Sequence, residues 1–195
     1  MSEEILVNVT PPETRVAVVE NGVVQEIIIE RLERCGLVGN VYKGRICRVL
    51  PGMQAAFVDV GLERAAFLHT SDIVGAEGEP RGEYIYDLVR EGDSIVVQVV
   101  KEPLGTKGAR LTTNISIASR YLVFMPRLGN TGVSQKIEDD DERKRLREIL
   151  QSYVDEHEGV GGYIARTAAE TVEDEDLCRD MAFLAKLWRV IKERV

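Results

Sequence analysis

Short runs of β-branched and aliphatic residues dominate the first two thirds of the chain and predict β structure. Residues 14–31, TRVAVVENGVVQEIIIER, hold two such runs around Asn21-Gly22, a dipeptide that accepts positive φ at both positions of a hairpin turn. Between residues 36 and 117 further short runs alternate with turn signals such as Pro51-Gly52 and Gly92-Asp93. Their close spacing predicts a small barrel or sandwich.

The apolar spacing becomes helical after about Ser119. One predicted helix carries an apolar face of Leu146, Ile149, Leu150 and Tyr153, with the acids of residues 139–142 at its start, where they favour the helix dipole. A second, from about Glu173, presents Leu177, Met181, Leu184, Trp188 and Ile191. Between them, GGYIARTAAE predicts a strand that leads into a turn.

Alternation along two barrel strands separates a core face from an outer face. In residues 53–60, MQAAFVDV, the inward set is Ala56, Val58 and Val60, and the outward set is Ala55, Phe57 and Asp59. In residues 64–70, RAAFLHT, the inward set is Ala66 and Leu68, and the outward set is Ala65, Phe67 and His69. Two phenylalanines are therefore expected on faces that also carry polar groups.

These outward rings have two interpretations. Each ring packs under a loop, or the pair forms stacking platforms for unpaired bases, each contact worth about 1–3 kcal/mol. The cations Lys43, Arg45 and Arg48 on a neighbouring strand, with Lys107, favour the second interpretation, because oligonucleotide-binding barrels combine aromatics with a basic strip. His69 and Cys47 are interpreted as bystanders.

Residues 101–113, KEPLGTKGARLTT, form a compact cationic turn between predicted strands. Its GTKG matches the GxxG loop of KH domains, but that loop needs flanking helices, and the P-loop pattern is absent. Two interpretations remain. The turn is a hairpin whose glycines let RNA approach the backbone while Lys107 binds a phosphate, or it is an ordinary exposed hairpin.

Composition makes this turn a local exception. The 195 residues include 25 Lys and Arg against 33 Asp and Glu, a net charge of -8, which argues against nucleic-acid binding by bulk electrostatics but not by a local patch. Three separated cysteines, Cys35, Cys47 and Cys178, predict reduced thiols. With an acidic N-terminus and no long apolar run, we expect a cytoplasmic protein without membrane contact. GAEGEPRGEY, residues 75–84, is expected to be an exposed, mobile loop.

Several long stretches resemble the ribonuclease E/G family. VGNVYKGRICRVLPGMQAAFVDVG, AAFLH and PLGTKGARLTT are similar to the family's S1 domain. SRYLVFMPR, GVSQKIE and ARTAAE resemble its 5′-sensor, and ILVNVTPPETRVAVVENGVVQEIIIER resembles the first strands of its RNase H-like subdomain. The resemblance covers essentially the whole chain.

The resemblance implies an α+β fold. An S1/OB-type five-stranded β-barrel is inserted after an N-terminal β-hairpin segment and is followed by a mixed α/β 5′-sensor subdomain. The implied divisions are residues 1–35 for the first RNase H-like strands, 36–118 for the RNA-binding S1 domain and 119–195 for the sensor region. The remainder of the RNase H-like subdomain and a DNase I-like catalytic domain are expected beyond Val195.

The resemblance also implies roles for individual residues. Phe57 and Phe67 match the S1 aromatics that stack on RNA, and Lys107 matches the lysine beside them. Arg166 and Thr167 match a pair that grips a 5′-terminal monophosphate, where a guanidinium fork and a hydroxyl supply directional donors. Val123 matches the position that supports the terminal base. Ser119 replaces a glycine; its backbone N–H is retained, but its side chain adds bulk at that contact.

No catalytic or metal site is expected in this chain. The implied Mg²⁺ of hydrolysis and the Zn²⁺ that links subunits belong to the full-length enzyme, which is expected to be a homo-oligomer. Asp59, Asp72 and Asp87 are not spaced so as to fix a metal.

The leading hypothesis is therefore the single-stranded RNA-binding and 5′-monophosphate-sensing part of a Mg²⁺-dependent endoribonuclease. Such a hydrolase would act in rRNA processing and mRNA decay, and this part alone is expected to be inactive. The alternatives are a free-standing S1-type RNA-binding module without nuclease activity, and a protein scaffold that works through its acidic helices.

Overall fold

The computed structural model describes residues 2–31, 36–75, 84–157 and 161–195. Cys35 and most of the predicted loop at 75–84 lie outside these residues. The chain divides into two compact units, Met1–Leu37 and Val38–Val195. The three-part division at residues 35 and 118 stays a prediction.

The first unit is a three-stranded antiparallel sheet. Strands β1 (Glu3–Val9), β2 (Glu13–Glu20) and β3 (Val23–Arg31) lie in the order β1-β2-β3. The predicted hairpin joins β2 to β3, and its turn residues Asn21 and Gly22 have φ of 49° and 80°, the left-handed values that an Asn-Gly turn supplies. Every residue of β1 and β3 is solvent-exposed.

The second unit begins with a closed five-stranded barrel. Its strands are β4 (Val41–Leu50), β5 (Ala55–Asp59), β6 (Ala66–His69), β7 (Ser94–Lys101) and β8 (Arg110–Thr112), with a short helix α1 (Ile85–Leu88) between β6 and β7. The order around the barrel is β4-β5-β6-β8-β7, in which the β6–β8 pair is parallel and the other pairs are antiparallel. A five-stranded barrel was predicted, and this arrangement is consistent with an S1/OB-type architecture.

The inward faces of β5 and β6 match the alternation in the sequence. Ala56, Val58, Ala66 and Leu68 are fully buried. Ala55 is also fully buried, so its predicted exposure is wrong. Its cross-strand partners are Leu50 on β4 and His69 on β6. Because cross-strand partners share a face of the sheet, these larger side chains flank the Ala55 methyl group.

A mixed α/β layer follows the barrel. Strands β9 (Ile117–Ala118), β10 (Leu122–Met125), β11 (Gly132–Val133) and β12 (Gly162–Ala165) form a sheet in the order β11-β12-β10-β9. Helices α2 (Asp140–Glu156) and α3 (Asp174–Arg194) pack on it. Apart from Ile191, which is not in this core, the predicted apolar faces hold. Their other members lie in or against one core with Phe124 and Tyr163: Leu146, Ile149, Leu150, Tyr153, Leu177, Met181, Leu184 and Trp188. The protein is therefore α+β. No helix in the described residues is both long and apolar enough to cross a membrane.

A buried glutamine on β7 ties the two ends of the barrel segment together. Gln98, only 5% exposed, donates from Nε2 to the carbonyls of Gly39 and Ser116, both at 2.8 Å. Its Oε1 accepts from the backbone N–H of Ser116 at 2.8 Å. Gly39 precedes the first barrel strand and Ser116 follows the last, so one side chain fixes where the barrel begins and ends.

Replacing Gln98 with leucine should destabilise the second unit. The change removes three hydrogen bonds to backbone groups of Gly39 and Ser116, and a typical intramolecular hydrogen bond contributes about 0.5–1.5 kcal/mol. We expect the free energy of unfolding, measured by urea denaturation, to fall by about 3 kcal/mol. The same change at the exposed Gln135 is the control, and a surface substitution of this kind shifts stability by less than about 0.5 kcal/mol. Equal effects at both positions would contradict the role given to Gln98.

Candidate nucleic-acid interface

The floor of a surface groove is formed by two phenylalanine rings. Phe57 on β5 and Phe67 on β6 are direct cross-strand partners, and their ring centroids lie 6.2 Å apart in an edge-to-face arrangement. Both side chains are half-buried, and neither belongs to the barrel core. The rings therefore present apolar surface to a groove of about 760 Å³. A flat ring at the base of an open groove is suited to stacking against another planar group.

One wall of this groove is the cationic turn. Residues 102–109 connect β7 to β8 as a hairpin, and Leu104 and Lys107 exchange backbone hydrogen bonds of 3.1 and 3.0 Å at its tip. The predicted hairpin between strands is thus confirmed. Arg64 reaches the hairpin from the β5–β6 loop and donates from Nη1 to the Gly105 carbonyl at 2.5 Å.

The two glycines of the hairpin have different structural roles. A Cβ on Gly108 would lie 2.1 Å from the carbonyl oxygen of Ala65, so only glycine lets the hairpin pack against the start of β6. The next residue, Ala109, accepts from the backbone N–H of Phe67 at 2.7 Å. Gly105 has φ of 57° and open space around its Cα. The expectation that both glycines open the backbone to RNA therefore fails at Gly108, which closes the barrel instead.

Positive charge is concentrated along the groove. Four cations line it, with Glu102 as the one acid: Arg64, Lys101, Lys107 and Arg110. Arg110 pairs with Asp72 at 2.9 Å, whereas Lys107 and Lys101 have no carboxylate partner within the described parts of the chain. The two ammonium groups are thus available to a ligand anion.

Lys43 and Arg45 are not brought into this groove. They lie on the first half of β4, which pairs with β7, whereas Phe57 faces the second half across from Arg48. A bulge between Ile46 and Arg48 separates the two halves. The side chain of Lys43 instead donates to the carbonyl of Val195 at the end of α3.

His69, interpreted from the sequence as a bystander, lies beside the aromatic floor but does not line the groove. Its ring stacks beside Phe67 with centroids 6.4 Å apart, and its Nδ1 accepts from the backbone N–H of Ser71 at 3.2 Å. The sequence could have predicted this contact, because His69 follows Phe67 by two residues and therefore lies on the same face of the strand. Cys47, by contrast, is an exposed free thiol outside the groove lining.

The predicted 5′-sensor residues meet where β9, β10 and β12 come together. Arg166 directly follows β12 and is exposed, and its Nη1 donates to the carbonyl of Ser119 at 2.5 Å. Val123 on β10 is half-buried and pairs with Ala118 and Ile164, which places it on the outer face that Ile164 and Arg166 share. Thr167 is exposed at the start of a 3-10 turn, Thr167–Ala169. The four predicted residues therefore lie in one region of the surface.

Ser119 cannot play its predicted part without rearrangement. Its backbone N–H already donates to the Leu122 carbonyl at 2.8 Å, and its hydroxyl lies 2.5 Å from the carboxylate of Asp180 on α3. The first bond follows from the tight turn between β9 and β10, which closes on residues 119 and 122, whereas the second reaches a distant helix. Ser119 instead contributes its carbonyl, which fixes the position of the Arg166 guanidinium.

An ion-pair network holds the segment that follows the sensor turn. Arg145 on α2 binds Glu142 at 2.7 Å, the carboxylate of Asp174 and the Val172 carbonyl at 3.0 Å. The hydrogen bonds from Arg145 lower the pKa of Glu142 to about 2, so this carboxylate stays ionised and accepts from Thr171 N–H at 3.0 Å. Both helices are thereby linked to the turn after Arg166.

The described residues hold no group of three histidine, cysteine, aspartate or glutamate side chains that could bind a metal ion. Asp59 accepts from the Gly61 N–H at 2.9 Å, Asp72 pairs with Arg110, and Asp87 lies on α1. The Mg²⁺ and Zn²⁺ implied by the family resemblance therefore have no fitting ligand set in these ranges.

Comparison with known proteins identifies the family. Residues 116–195 match the Ribonuclease E/G family. The whole chain is 56% identical to ribonuclease G of Salmonella typhimurium (strain SL1344) and spans 41% of that protein. Over 98% of its length it is 40% identical to ribonuclease E of Escherichia coli (strain K12), of which it covers 18%.

One solved structure, the a/eIF2alpha-aDim2p-rRNA complex from Pyrococcus horikoshii OT3, contains a chain that can be aligned with this protein. The alignment covers 63% of this chain and 64% of that one. The TM-score is 0.33 and the identity 15%, which is too remote to inform fold or function. The sequence similarity is sufficient without it: the chain contains a Ribonuclease E/G family domain and is similar over almost its whole length to ribonucleases G and E.

Proposed function

We propose that this chain is the RNA-recognition part of an endoribonuclease of the ribonuclease G type. The observation that carries the proposal is the cross-strand pair Phe57 and Phe67, which lies on the floor of a groove beside the unpaired ammonium group of Lys107. Barrels that bind single-stranded RNA combine aromatic rings, on which bases can stack, with cations that bind phosphates. Similarity to ribonuclease G over the whole of this chain supports the same conclusion.

In this proposal two successive bases of single-stranded RNA stack on Phe57 and Phe67. The phosphates between them run along the hairpin wall, where Lys107 and Lys101 neutralise charge. Binding is therefore local, and the net charge of -8 on the whole chain does not prevent it. Because the contacts are to ring faces and phosphates, we expect little sequence preference from this groove.

The 5′ end of the RNA is proposed to bind at Arg166. The Ser119 carbonyl occupies one N–H of the guanidinium, and the remaining N–H groups are left to grip a terminal phosphate. Thr167 adds a hydroxyl donor, and Val123 supports the terminal base. A 5′-hydroxyl end lacks the charge that this site would pair, which would favour monophosphorylated RNA.

The cleavage reaction belongs to the longer protein in this proposal. The chain spans less than half the length of the ribonuclease G relative with which it was compared. Mg²⁺-dependent hydrolysis, assembly into a homo-oligomer, and roles in rRNA maturation and mRNA decay in the cytoplasm are thus proposed for the whole protein. Residues 1–195 alone should bind RNA without hydrolysing it.

Replacing Phe57 with alanine should weaken RNA binding regardless of the 5′ end. Loss of one stacking contact is worth about 1–3 kcal/mol, which corresponds to at least about a fivefold rise in Kd. The measurement is fluorescence anisotropy with A/U-rich ten-nucleotide RNAs carrying either a 5′-phosphate or a 5′-hydroxyl. Phe57→Tyr, which keeps the ring, is the matched control and should bind almost normally. Unchanged affinity in the alanine variant, or loss of its fold in thermal unfolding, would assign Phe57 to packing.

Replacing Arg166 with glutamine should remove the preference for 5′-phosphorylated RNA. A charge-assisted hydrogen bond contributes about 1.5–3 kcal/mol, so we expect a preference of roughly tenfold or more in Kd to fall to near unity. Binding of 5′-hydroxyl RNA in the barrel groove should stay the same. The exposed Arg189 on α3 is the control, since Arg189→Gln removes the same charge elsewhere. Equal weakening of both RNAs by Arg166→Gln would refute the sensor assignment.

A further inference from the structure

A second pair of aromatic rings lies on the barrel outside the groove. Tyr84 and Tyr86, at the start of α1, stack with centroids 5.3 Å apart and planes only 10° from parallel. Their exposed fractions are 46% and 53%, whereas Ile85 between them is fully buried. Neither tyrosine hydroxyl has a hydrogen-bond partner within the described ranges. Two large rings are thus held at the surface by the buried residue between them.

Gln54 connects this pair to the end of the groove. Its Oε1 accepts from the backbone N–H of Ile85 at 3.0 Å, and its carbonyl accepts from Thr70 N–H at 2.9 Å. Gln54 directly follows Met53, which lines the groove and is 59% exposed. A single residue therefore joins the groove rim, the end of β6 and the start of α1.

One series of contacts connects the groove floor to the tyrosine pair. It runs from Phe57 to Phe67 over 6.2 Å and from Phe67 to His69 over 6.4 Å. The residue after His69 is Thr70, which is bonded to Gln54, and Gln54 is bonded to the peptide between the two tyrosines. The tyrosine pair is thus linked to the rim residue Met53 through the neighbouring residue Gln54.

We infer that Tyr84 and Tyr86 form a second base-stacking subsite for single-stranded RNA, used by the nucleotides that leave the groove at Met53. The inference rests on the proposed RNA-binding function and extends it. Oligonucleotide-binding barrels hold about 4–16 nucleotides, so a strand longer than the groove needs further platforms. Exposed rings with free faces supply them without sequence readout.

The chemistry of this subsite differs from that of the groove. Helix α1 is Ile85–Leu88 and contains no lysine or arginine, and it carries the acid Asp87. The tyrosine pair therefore contributes stacking and no phosphate neutralisation. Loss of the rings should lower affinity without changing the slope of log Kd against log salt concentration, because that slope counts phosphate contacts.

The test compares a short and a long RNA on the whole chain. Fluorescence anisotropy is measured with uridine tetranucleotide and decanucleotide, at two salt concentrations, for wild type and for the double variant Tyr84→Ala/Tyr86→Ala. We expect the Kd of the decanucleotide to rise about tenfold in the variant, the Kd of the tetranucleotide to stay within twofold, and the salt slope to stay the same. Tyr84→Phe/Tyr86→Phe keeps both rings and should bind both RNAs like wild type.

The outcomes separate this inference from the function on which it rests. If the alanine variant binds the decanucleotide like wild type while Phe57→Ala weakens it, the subsite is wrong and the groove proposal stands. Equal weakening of tetranucleotide and decanucleotide in the alanine variant would also overturn the subsite, since the groove itself would then have changed. If wild type binds neither RNA, the proposed function fails and the subsite with it.

Discussion

The candidate interface depends on the close contact between the hairpin at residues 102–109 and the start of β6. Gly108 packs against the Ala65 carbonyl with no room for a Cβ, and the Phe67 N–H is bonded to Ala109. This contact sets the parallel pairing of β6 with β8 that closes the barrel. It also sets Lys107 beside the two phenyl rings. The structural requirement of barrel closure and the chemical requirement of an anion-binding wall are therefore met by one turn.

The uneven distribution of charge explains how an acidic protein can have a cationic groove. The excess of carboxylates on the chain is not distributed evenly, and the groove lining contains four cations and one acid. At about 0.15 M ionic strength, charges more than about 8 Å apart are largely screened. A bound phosphate therefore responds mainly to the lysines beside it rather than to the net charge of the chain.

Local pattern predicted much of this arrangement. Alternation alone separated Phe57 and Phe67 from the core, and the Asn21-Gly22 and Gly105 turns were recognisable because only a few residues tolerate positive φ. What alternation could not supply was long-range geometry. The β4 bulge that separates Lys43 and Arg45 from the groove, and the Ser119–Asp180 contact across 61 residues of chain, depend on pairings that no local pattern encodes. The predicted exposure of Ala55 was wrong for the same reason, because its burial depends on its neighbours across the sheet.

The most direct test of the account locates bound RNA on the chain. A decanucleotide containing 4-thiouridine would be photo-crosslinked to the protein, and the attached residues identified by mass spectrometry. The account predicts crosslinks at Phe57, at Phe67 and within residues 101–108. Crosslinks confined to α2, α3 or the N-terminal sheet, with none in the groove, would contradict it.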